Sequence, residues 1–210
     1  WRPQIVHDLH QMGSRGARLF VPPYLDPYEP GVDPALVAAG SALGAHVAAR
    51  LTSEGKAGVV TQAIFDAWSP ARAYPHAHGG VRILSECASA RLATPVEVSR
   101  DELEAGAGYD PRRSSWNFPL PWPGGTWRLR DIVDYELIAT MALLEAGADR
   151  RETILRQIYE VNKDTIEKGK KGNPSAILVP VEGQRDAREA AHLVERLHMG
   201  GVEVYRANAG

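Results

Sequence analysis

The chain has 210 residues, of which 44% are hydrophobic and 24% charged, a balance that suits one medium domain or one domain with part of another. Its 24 lysines and arginines nearly match 26 aspartates and glutamates, so nucleic acid and anionic membranes are poor candidates for its partner. The sequence shows no apolar stretch of about 18 residues that would span a bilayer, and no secretory signal pattern. The single Cys87 excludes an internal disulfide framework.

The stretch QIVHDLHQM, residues 4–12, alternates with a period of two and predicts a strand near the start of the chain. One face of this strand carries Ile5, His7 and Leu9, and the other carries Val6, Asp8 and His10. His10 then stands near the carboxyl end of the strand, on the face that Asp8 shares.

Residues 14–32 are rich in proline and glycine, which sustain neither a ladder nor a helix, and so predict a loop. The helix that follows has Asp33 as its N-cap, Pro34 as its first residue and Gly55 at its end. One apolar stripe predicts its buried face and consists of Leu36, Leu43, Val47 and Leu51. Residues 58–68 fit a strand or a short helix, and the pattern does not decide between them.

A second clear strand, VRILSE at residues 81–86, follows the pair Gly79 and Gly80. Residues 116–130 have the pattern of a hairpin that turns at residues 123–125. The prolines in this hairpin restrict it to an edge of the sheet, because proline cannot donate a ladder hydrogen bond.

Two helices are predicted next, near residues 130–146 and 149–169. Gly147 is the expected C-terminal cap of the first helix, because glycine often ends a helix in this way. Asp149 and Glu152 have the spacing of a capping pair for the second.

The C-terminal part of the sequence predicts a second domain. After a linker at residues 169–175, the segments at residues 176–180 and 202–207 predict strands on either side of a helix from Asp186 to His198. A β-α-β unit needs neighbours to bury both faces of its strands, so a second domain is expected to begin near residue 174. Together these elements predict an α/β fold.

His10 and Glu86 are the strongest chemical candidates. Each ends a predicted strand, the position where open α/β sheets place their ligands. Zinc sites in hydrolases combine histidine and carboxylate ligands with a nearby carboxylate that takes a proton from water. On the pattern alone, a histidine at a strand end is more often a hydrogen-bonded structural residue than a ligand.

The segments DLHQMGSRGARLFVPPY and GGVRILSECAS, with Glu86 placed 76 residues after His10, resemble the C-terminal half of the zinc carboxypeptidase family, the carboxypeptidase A-like metallopeptidases. They look closest to a divergent bacterial branch that carries an extra C-terminal domain. The resemblance implies that residues 1–171 are the C-terminal part of a mixed-sheet catalytic domain with flanking helices. Residues 174–210 look like the start of a second α/β domain, similar to a glutamine-amidotransferase-like domain.

The family resemblance implies zinc-dependent hydrolysis of C-terminal peptide bonds by a metal-bound water. His10 matches a histidine ligand of the zinc, Glu86 matches the general base, and Tyr74 matches a substrate-binding tyrosine of the family. The remaining ligands are expected from a His-x-x-Glu motif before Trp1, in a missing N-terminal half of the domain. The isolated chain is therefore expected to be inactive, and the family favours a periplasmic or secreted location.

Two other functions stay open at the sequence level. The same metal and base could remove an acyl group from a small amide, or the fold could persist as a binding module without catalysis. Asp8 either supports His10 from outside the metal's coordination shell or bonds a neighbouring loop. The chain's own His-x-x-Glu, from His192 to Glu195, follows Glu86 in the tail and is interpreted as a solvated helix pair.

The other reactive or aromatic residues have structural interpretations. His7 faces away from His10 and is expected to pack or to form hydrogen bonds. His76 and His78 are expected in an exposed loop, and Cys87 is expected to be buried as a small apolar residue. Three tryptophans near the predicted hairpin could line a specificity pocket, although packing is the commoner explanation: Trp116, Trp122 and Trp127.

Overall fold

A computed structural model of the chain describes residues 1–63, 70–172, 174 and 176–207. The chain forms two compact units, residues 1–165 and 166–210. The first unit is a mixed α/β structure, which confirms the predicted fold class at that level.

The strands are β1 (Ile5–Met12), β2 (Leu19–Phe20), β3 (Val59–Val60), β4 (Val81–Ala88), β5 (Val96–Val98) and β6 (Gly125–Trp127). The α-helices are α1 (Pro34–Ser53), α2 (Pro70–Ala77), α3 (Leu129–Asp149), α4 (Arg151–Lys171) and α5 (Ala187–Met199). A four-stranded sheet has the order β1-β4-β2-β3, and a separate two-stranded sheet pairs β5 with β6.

The pairing of β1 with β4 brings the two predicted long strands together. They run parallel, with Ile5 opposite Val81, His10 opposite Glu86 and Met12 opposite Ala88. The first strand was predicted from its alternation and the second from the apolar run after Gly79 and Gly80, and both are confirmed. Because the strands are parallel and in this register, the carboxyl ends of both lie at the same edge of the sheet.

The predicted loop at residues 14–32 contains a strand that the sequence analysis missed. β2 lies between β4 and β3, antiparallel to the first and parallel to the second. Leu19 and Phe20 are fully buried, which holds so short a strand in the sheet. Of residues 58–68, which fitted either a strand or a short helix, Val59 and Val60 form the strand β3. Residues 64–69 lie outside the described part of the chain.

Helix α1 begins as predicted. The Asp33 carboxylate accepts a hydrogen bond from the backbone N–H of Ala35 at 2.9 Å, and Pro34 is the first residue. The predicted apolar stripe is buried along its whole length: Leu36, Leu43, Val47 and Leu51. The helix ends at Ser53, and Gly55 follows it with a φ of 73°, a conformation that glycine adopts without strain.

Helix α1 corrects the expectation that no segment has the length of a membrane span. It has 20 residues, and its most apolar window has a mean hydropathy of 1.2, enough by length and composition alone to cross a bilayer. A core helix passes the same test, and here the apolar stripe packs against the sheet and α3. Length and composition therefore give little support for a membrane span.

Two apolar clusters lie on opposite faces of the main sheet. Helices α1 and α3 cover one face, where Ile83 and Cys87 of β4 are buried with Tyr135 of α3. On the other face Phe20, Leu84 and Phe118 form a smaller cluster. Leu84 therefore faces the smaller cluster, and strand alternation places Glu86 on the same face as Leu84.

The predicted hairpin at residues 116–130 is wrong. β6 pairs antiparallel with β5, so that Val96 lies opposite Trp127, and not with the residues before the turn. Pro119, Pro121 and Pro123 occupy alternate positions there, so those positions have no N–H to donate to a partner strand. The strand that β6 needs is supplied instead by β5, whose three residues all carry an N–H.

Helices α3 and α4 confirm the two predicted helices, but their junction differs. Gly147 lies inside α3 and is not its cap, because the helix continues to Asp149 and Arg150 caps it. Asp149 therefore belongs to α3 and does not cap α4, which begins at Arg151 with Glu152 in its first turn.

The second unit contains the end of α4 and all of α5. Asp186 caps α5 by accepting a hydrogen bond from Arg188 N at 2.9 Å, which confirms the predicted helix. The predicted strands at residues 176–180 and 202–207 are wrong, since neither forms a ladder in the described part of the chain. Their large apolar side chains are solvent-exposed, as at Ile177 and Tyr205, so neither segment has the partner that a strand requires.

Candidate functional site

His10 and Glu86 meet at the carboxyl ends of β1 and β4. They occupy opposite positions in the parallel ladder, and His10 Nδ1 lies 3.9 Å from Glu86 Oε1. The two side chains are 29% and 18% exposed, so both groups remain open to a ligand from solvent. The structure therefore brings together the two residues that the sequence singled out.

Asp8 lies on the same face of β1, as strand alternation predicts. Its Oδ1 is 2.9 Å from His10 Nε2, and its Oδ2 accepts hydrogen bonds from Arg82 Nη2 at 2.6 Å and Arg82 Nε at 3.0 Å. Partial burial opposes ionisation of Asp8, but the hydrogen bonds and charge of Arg82 outweigh it and hold the pKa of Asp8 below its usual value. Asp8 is thus an ionised acceptor for His10.

The contact with Asp8 determines which nitrogen of His10 carries a proton. An ionised carboxylate only accepts hydrogen bonds, so Nε2 must donate. In the neutral imidazole the lone pair then lies on Nδ1, which is the nitrogen nearer to Glu86. Neutral imidazole nitrogen and carboxylate oxygen are among the donors that zinc prefers, so these residues fit part of a zinc site.

The described residues do not by themselves complete a metal centre. Within residues 1–63, 70–172 and the described part of the tail, no group of three or more His, Cys, Asp or Glu is arranged to hold a metal. His10 is one nitrogen donor, and further ligands would have to come from outside this part of the chain.

Arg82 is the site residue that the sequence analysis missed. It is the one charged residue between Gly80 and Ser85 in GGVRILSE, and it has the same strand parity as Glu86. A charge inside a buried strand needs a partner, and that requirement was a usable signal. The partner is Asp8, at the same parity on the neighbouring strand.

His7 faces the opposite side of the sheet, as predicted, and its hydrogen bonds are fully used. Its Nδ1 lies 3.1 Å from Thr140 Oγ1 and its Nε2 lies 3.0 Å from Ser85 Oγ, while the Ser85 hydroxyl donates to Glu136 Oε2 at 2.9 Å. Burial lowers the pKa of His7 to about 4, against the opposing charge of Asp8. His7 is therefore a neutral structural residue, and HDLH does not supply two ligands on one face.

Glu136 titrates near neutrality in this buried cluster. Burial raises its pKa to about 7, the bond from Ser85 opposes the rise, and the charge of Glu86 adds to it. Since this folded-state pKa lies above the ordinary value of 4.5, Glu136 stabilises the fold fully below pH 4.5, and this contribution is lost as pH rises toward 7. The pKa of His7 is lowered, so neutral His7 stabilises the fold fully above pH 6.5. This stabilisation is lost as pH falls from 6.5 toward 4.

We expect Glu136→Gln to gain stability relative to the wild type as pH rises. The difference in unfolding free energy between the variant and the wild type should grow by about 3 kcal/mol from pH 4.5 to about pH 8, because glutamine does not ionise. His7 titrates in both proteins and cancels in the difference. Urea unfolding at several pH values measures it, with exposed Glu97→Gln as the control. A difference that stays flat across this range would contradict the buried titration.

Tyr74 is not brought to His10 and Glu86. It is on α2, where its ring centroid lies 4.4 Å from that of His78. The carbonyl of Pro75, next to Tyr74, accepts a hydrogen bond from Gly80 N at 2.9 Å, just before Val81, which lies opposite Ile5 at the start of β1. His10 lies five positions beyond Ile5 along the strand, about 17 Å at 3.3 Å per residue.

His76 differs from its predicted place in an exposed loop. It is half-buried in α2, and its Nε2 accepts a hydrogen bond from the backbone N–H of Arg82 at 3.2 Å. His76 and Arg82 also line a mostly apolar groove of about 210 Å³ together with residues of α1 and of the segment 22–32. Neither His10 nor Glu86 lines this groove, so the groove and the pair are adjacent features joined through Arg82.

Arg18 fixes the loop that follows β1. It is fully buried, its guanidinium carbon lies 4.2 Å from the ring centroid of Trp122 and 5.0 Å from that of Trp127, and it bonds the carbonyls of Ser14 and Gly16. Burial lowers the pKa of Arg18 to about 10, which leaves it charged at neutral pH. This stacked cation holds the chain that leaves the carboxyl end of β1.

The remaining candidates are structural. Cys87 is buried, and burial raises the pKa of its thiol, as expected of an apolar residue that faces away from Glu86. Trp122 and Trp127 pack edge-to-face at 6.0 Å, which supports packing over a specificity pocket. His192 is exposed on α5 and lies 3.5 Å from Glu189, as expected of a solvated helix residue.

Comparisons with known proteins add no relative. No family model, curated protein or solved structure matches the chain.

Proposed function

We propose that residues 1–171 are the C-terminal part of a zinc carboxypeptidase-like catalytic domain that hydrolyses C-terminal peptide bonds. The observation that carries the proposal is the pairing of His10 with Glu86. A histidine and a carboxylate, 3.9 Å apart, end two adjacent parallel strands, and the second nitrogen of the histidine is held by an ionised aspartate.

His10 would hold the metal through Nδ1, because Asp8 occupies Nε2. A carboxylate behind a metal-binding histidine fixes the tautomer of the ring and raises its basicity as a ligand. Zinc, when bound, supplies Lewis-acid polarisation of the scissile carbonyl and makes the attacking water more acidic.

Glu86 would act as the general base. Its carboxylate is partly buried and lies next to the nitrogen that would hold the metal, within reach of a water placed between them. It would accept the proton of the attacking water and deliver it to the leaving amine. Arg82 does not contact this water in the proposal, since it bonds the far oxygen of Asp8.

The proposal predicts weak zinc binding by the 210-residue chain itself. One imidazole does not supply the multidentate shell that gives tight zinc sites their affinity. Isothermal titration with zinc should therefore detect at most weak binding, and the chain alone should show no peptidase activity. The weak binding should disappear in His10→Ala.

His7→Ala is the matched control for the zinc titration, because it removes a histidine from the other face of the same strand. It should leave zinc binding unchanged. A stoichiometric site of submicromolar affinity that disappears in His10→Ala would instead reveal a self-contained metal centre and contradict the proposed part-site. Zinc binding that depends on His7 and not on His10 would contradict the assignment of the ligand.

A further inference from the structure

Arg82 is a cation held almost entirely away from water near the start of β4. Its side chain is 4% exposed, and its guanidinium donates twice to Asp8 Oδ2, at 2.6 and 3.0 Å. Its backbone N–H donates to His76 Nε2 at 3.2 Å. Both the main chain and the side chain of Arg82 are thus fixed in position.

The two oxygens of Asp8 serve different partners. Oδ2 accepts from Arg82, while Oδ1 lies 2.9 Å from His10 Nε2. Two donors from one rigid guanidinium on a single oxygen determine how the carboxylate is rotated. The direction of Oδ1, and with it the plane of the His10 ring, follows from that rotation.

We propose that Arg82 is a positioning residue that acts through Asp8 to keep His10 protonated at Nε2, with the lone pair of Nδ1 turned toward Glu86. The role in metal binding rests on the function proposed above. The tautomer of His10 is a property of this chain without metal, and it is tested separately.

Asp8→Asn gives the sharpest test, because the carboxylate becomes an amide with one acceptor and one donor. Arg82 has no acceptor, so it must take the amide oxygen of Asn, and the amide NH₂ then faces His10. Facing a donor, Nε2 must become the acceptor, and the proton moves to Nδ1. The inversion should occur only while Arg82 is present to orient the amide.

The measurement is the pair of ¹⁵N chemical shifts of the His10 ring in the metal-free full chain at a pH where the imidazole is neutral. The wild type should show protonated Nε2, and Asp8→Asn should show protonated Nδ1. Adding Arg82→Met to Asp8→Asn frees the amide and should return His10 to a mixture of both tautomers. In Arg82→Met alone, Asp8 still only accepts hydrogen bonds, so Nε2 should remain the main protonated nitrogen of His10. The share of the Nδ1 tautomer should rise above that of the wild type because Asp8 is no longer held in one rotation. This variant is expected to fold because Asp8 is a third exposed to water.

Arg50→Met is the matched control for loss of a paired arginine. Arg50 of α1 donates to both carboxylate oxygens of Glu145 in α3, at 2.8 and 3.1 Å. This variant should leave the shifts of His10 as in the wild type. The proposal is overturned if Asp8→Asn keeps protonated Nε2, if its inversion survives Arg82→Met, or if Arg50→Met changes the tautomer equally.

Zinc titration followed on the His10 signals separates the two proposals. Asp8→Asn should weaken zinc binding at His10 by about tenfold or more, the usual loss when an outer partner of a metal-binding histidine is removed. If the tautomers behave as expected but zinc does not perturb His10, the positioning role stands and the proposed function fails. If zinc binds His10 but the tautomer does not change when Arg82 is replaced, the proposed function stands and the positioning role fails.

Discussion

Replacing Glu86 with glutamine is expected to lower peptide-bond hydrolysis by about 10² to 10⁴ while zinc stays bound. Glutamine keeps the shape of the side chain but has no basic oxygen that takes a proton at neutral pH. Under the proposed function, His10 would still present Nδ1 to the metal, because its bond to Asp8 is unchanged. Turnover should be measured in an active protein that joins this chain to the remaining metal ligands, with zinc content determined on the same samples.

Two further variants test whether the loss of turnover is specific to the carboxylate of Glu86. Glu97→Gln makes the same chemical change at the exposed position of β5 and should leave turnover unchanged. His10→Ala should lose zinc together with activity, since it removes the proposed ligand and leaves the proposed base in place. Turnover by Glu86→Gln within a few-fold of the wild type, at equal zinc occupancy, would remove Glu86 from the mechanism.

The largest effect on stability is expected from Trp127→Ala, at about 3 to 5 kcal/mol of unfolding free energy. Trp127 is buried at the junction of β6 with the end of β4, where its Nε1 donates to Ala88 O at 2.8 Å. Its ring packs edge-to-face on Tyr135 at 5.1 Å and lies under the guanidinium of Arg18. Truncation therefore leaves a cavity and weakens the surroundings of a buried cation.

Chemical denaturation of matched tryptophan variants separates the contribution of the buried ring from that of its hydrogen bond to Ala88. Trp127→Phe keeps an aromatic ring but removes the donor to Ala88, and should cost about 1 to 3 kcal/mol. Trp116→Ala removes a tryptophan that is 99% exposed and should change stability by less than about 0.5 kcal/mol. Equal losses in Trp127→Ala and Trp116→Ala would contradict the burial of Trp127.

The long elements could be predicted from the sequence because each repeats a pattern that its own packing requires. α1 shows its buried stripe directly in the sequence, β1 shows alternation, and β4 is a short apolar run that follows two glycines and is buried on both faces. β2 could not be predicted, since two residues in a loop rich in proline contain no period. The segments at residues 176–180 and 202–207 show the converse error, because a strand-like composition does not reveal whether a partner strand exists.

The candidate site was predictable in its positions but not in its contacts. The ends of β1 and β4 located His10 and Glu86, and alternation placed Asp8 beside His10. The bond from Arg82 to Asp8 depends on the register of two strands that are distant in sequence, which no local pattern specifies. The place of Tyr74 depends on α2, a helix that the sequence reading took for a loop.

The parallel pairing of β1 with β4 also determines when the site forms during folding. Because the connection between these strands runs through β2, α1, β3 and α2, His10 and Glu86 meet only after a long chain closure whose entropy cost precedes any gain from pairing. During synthesis, His10 has no Glu86 to pair with until β4, which ends at Ala88, has left the ribosome. A polypeptide that stops short of β4 therefore contains His10 and Asp8 without the partners Glu86 and Arg82.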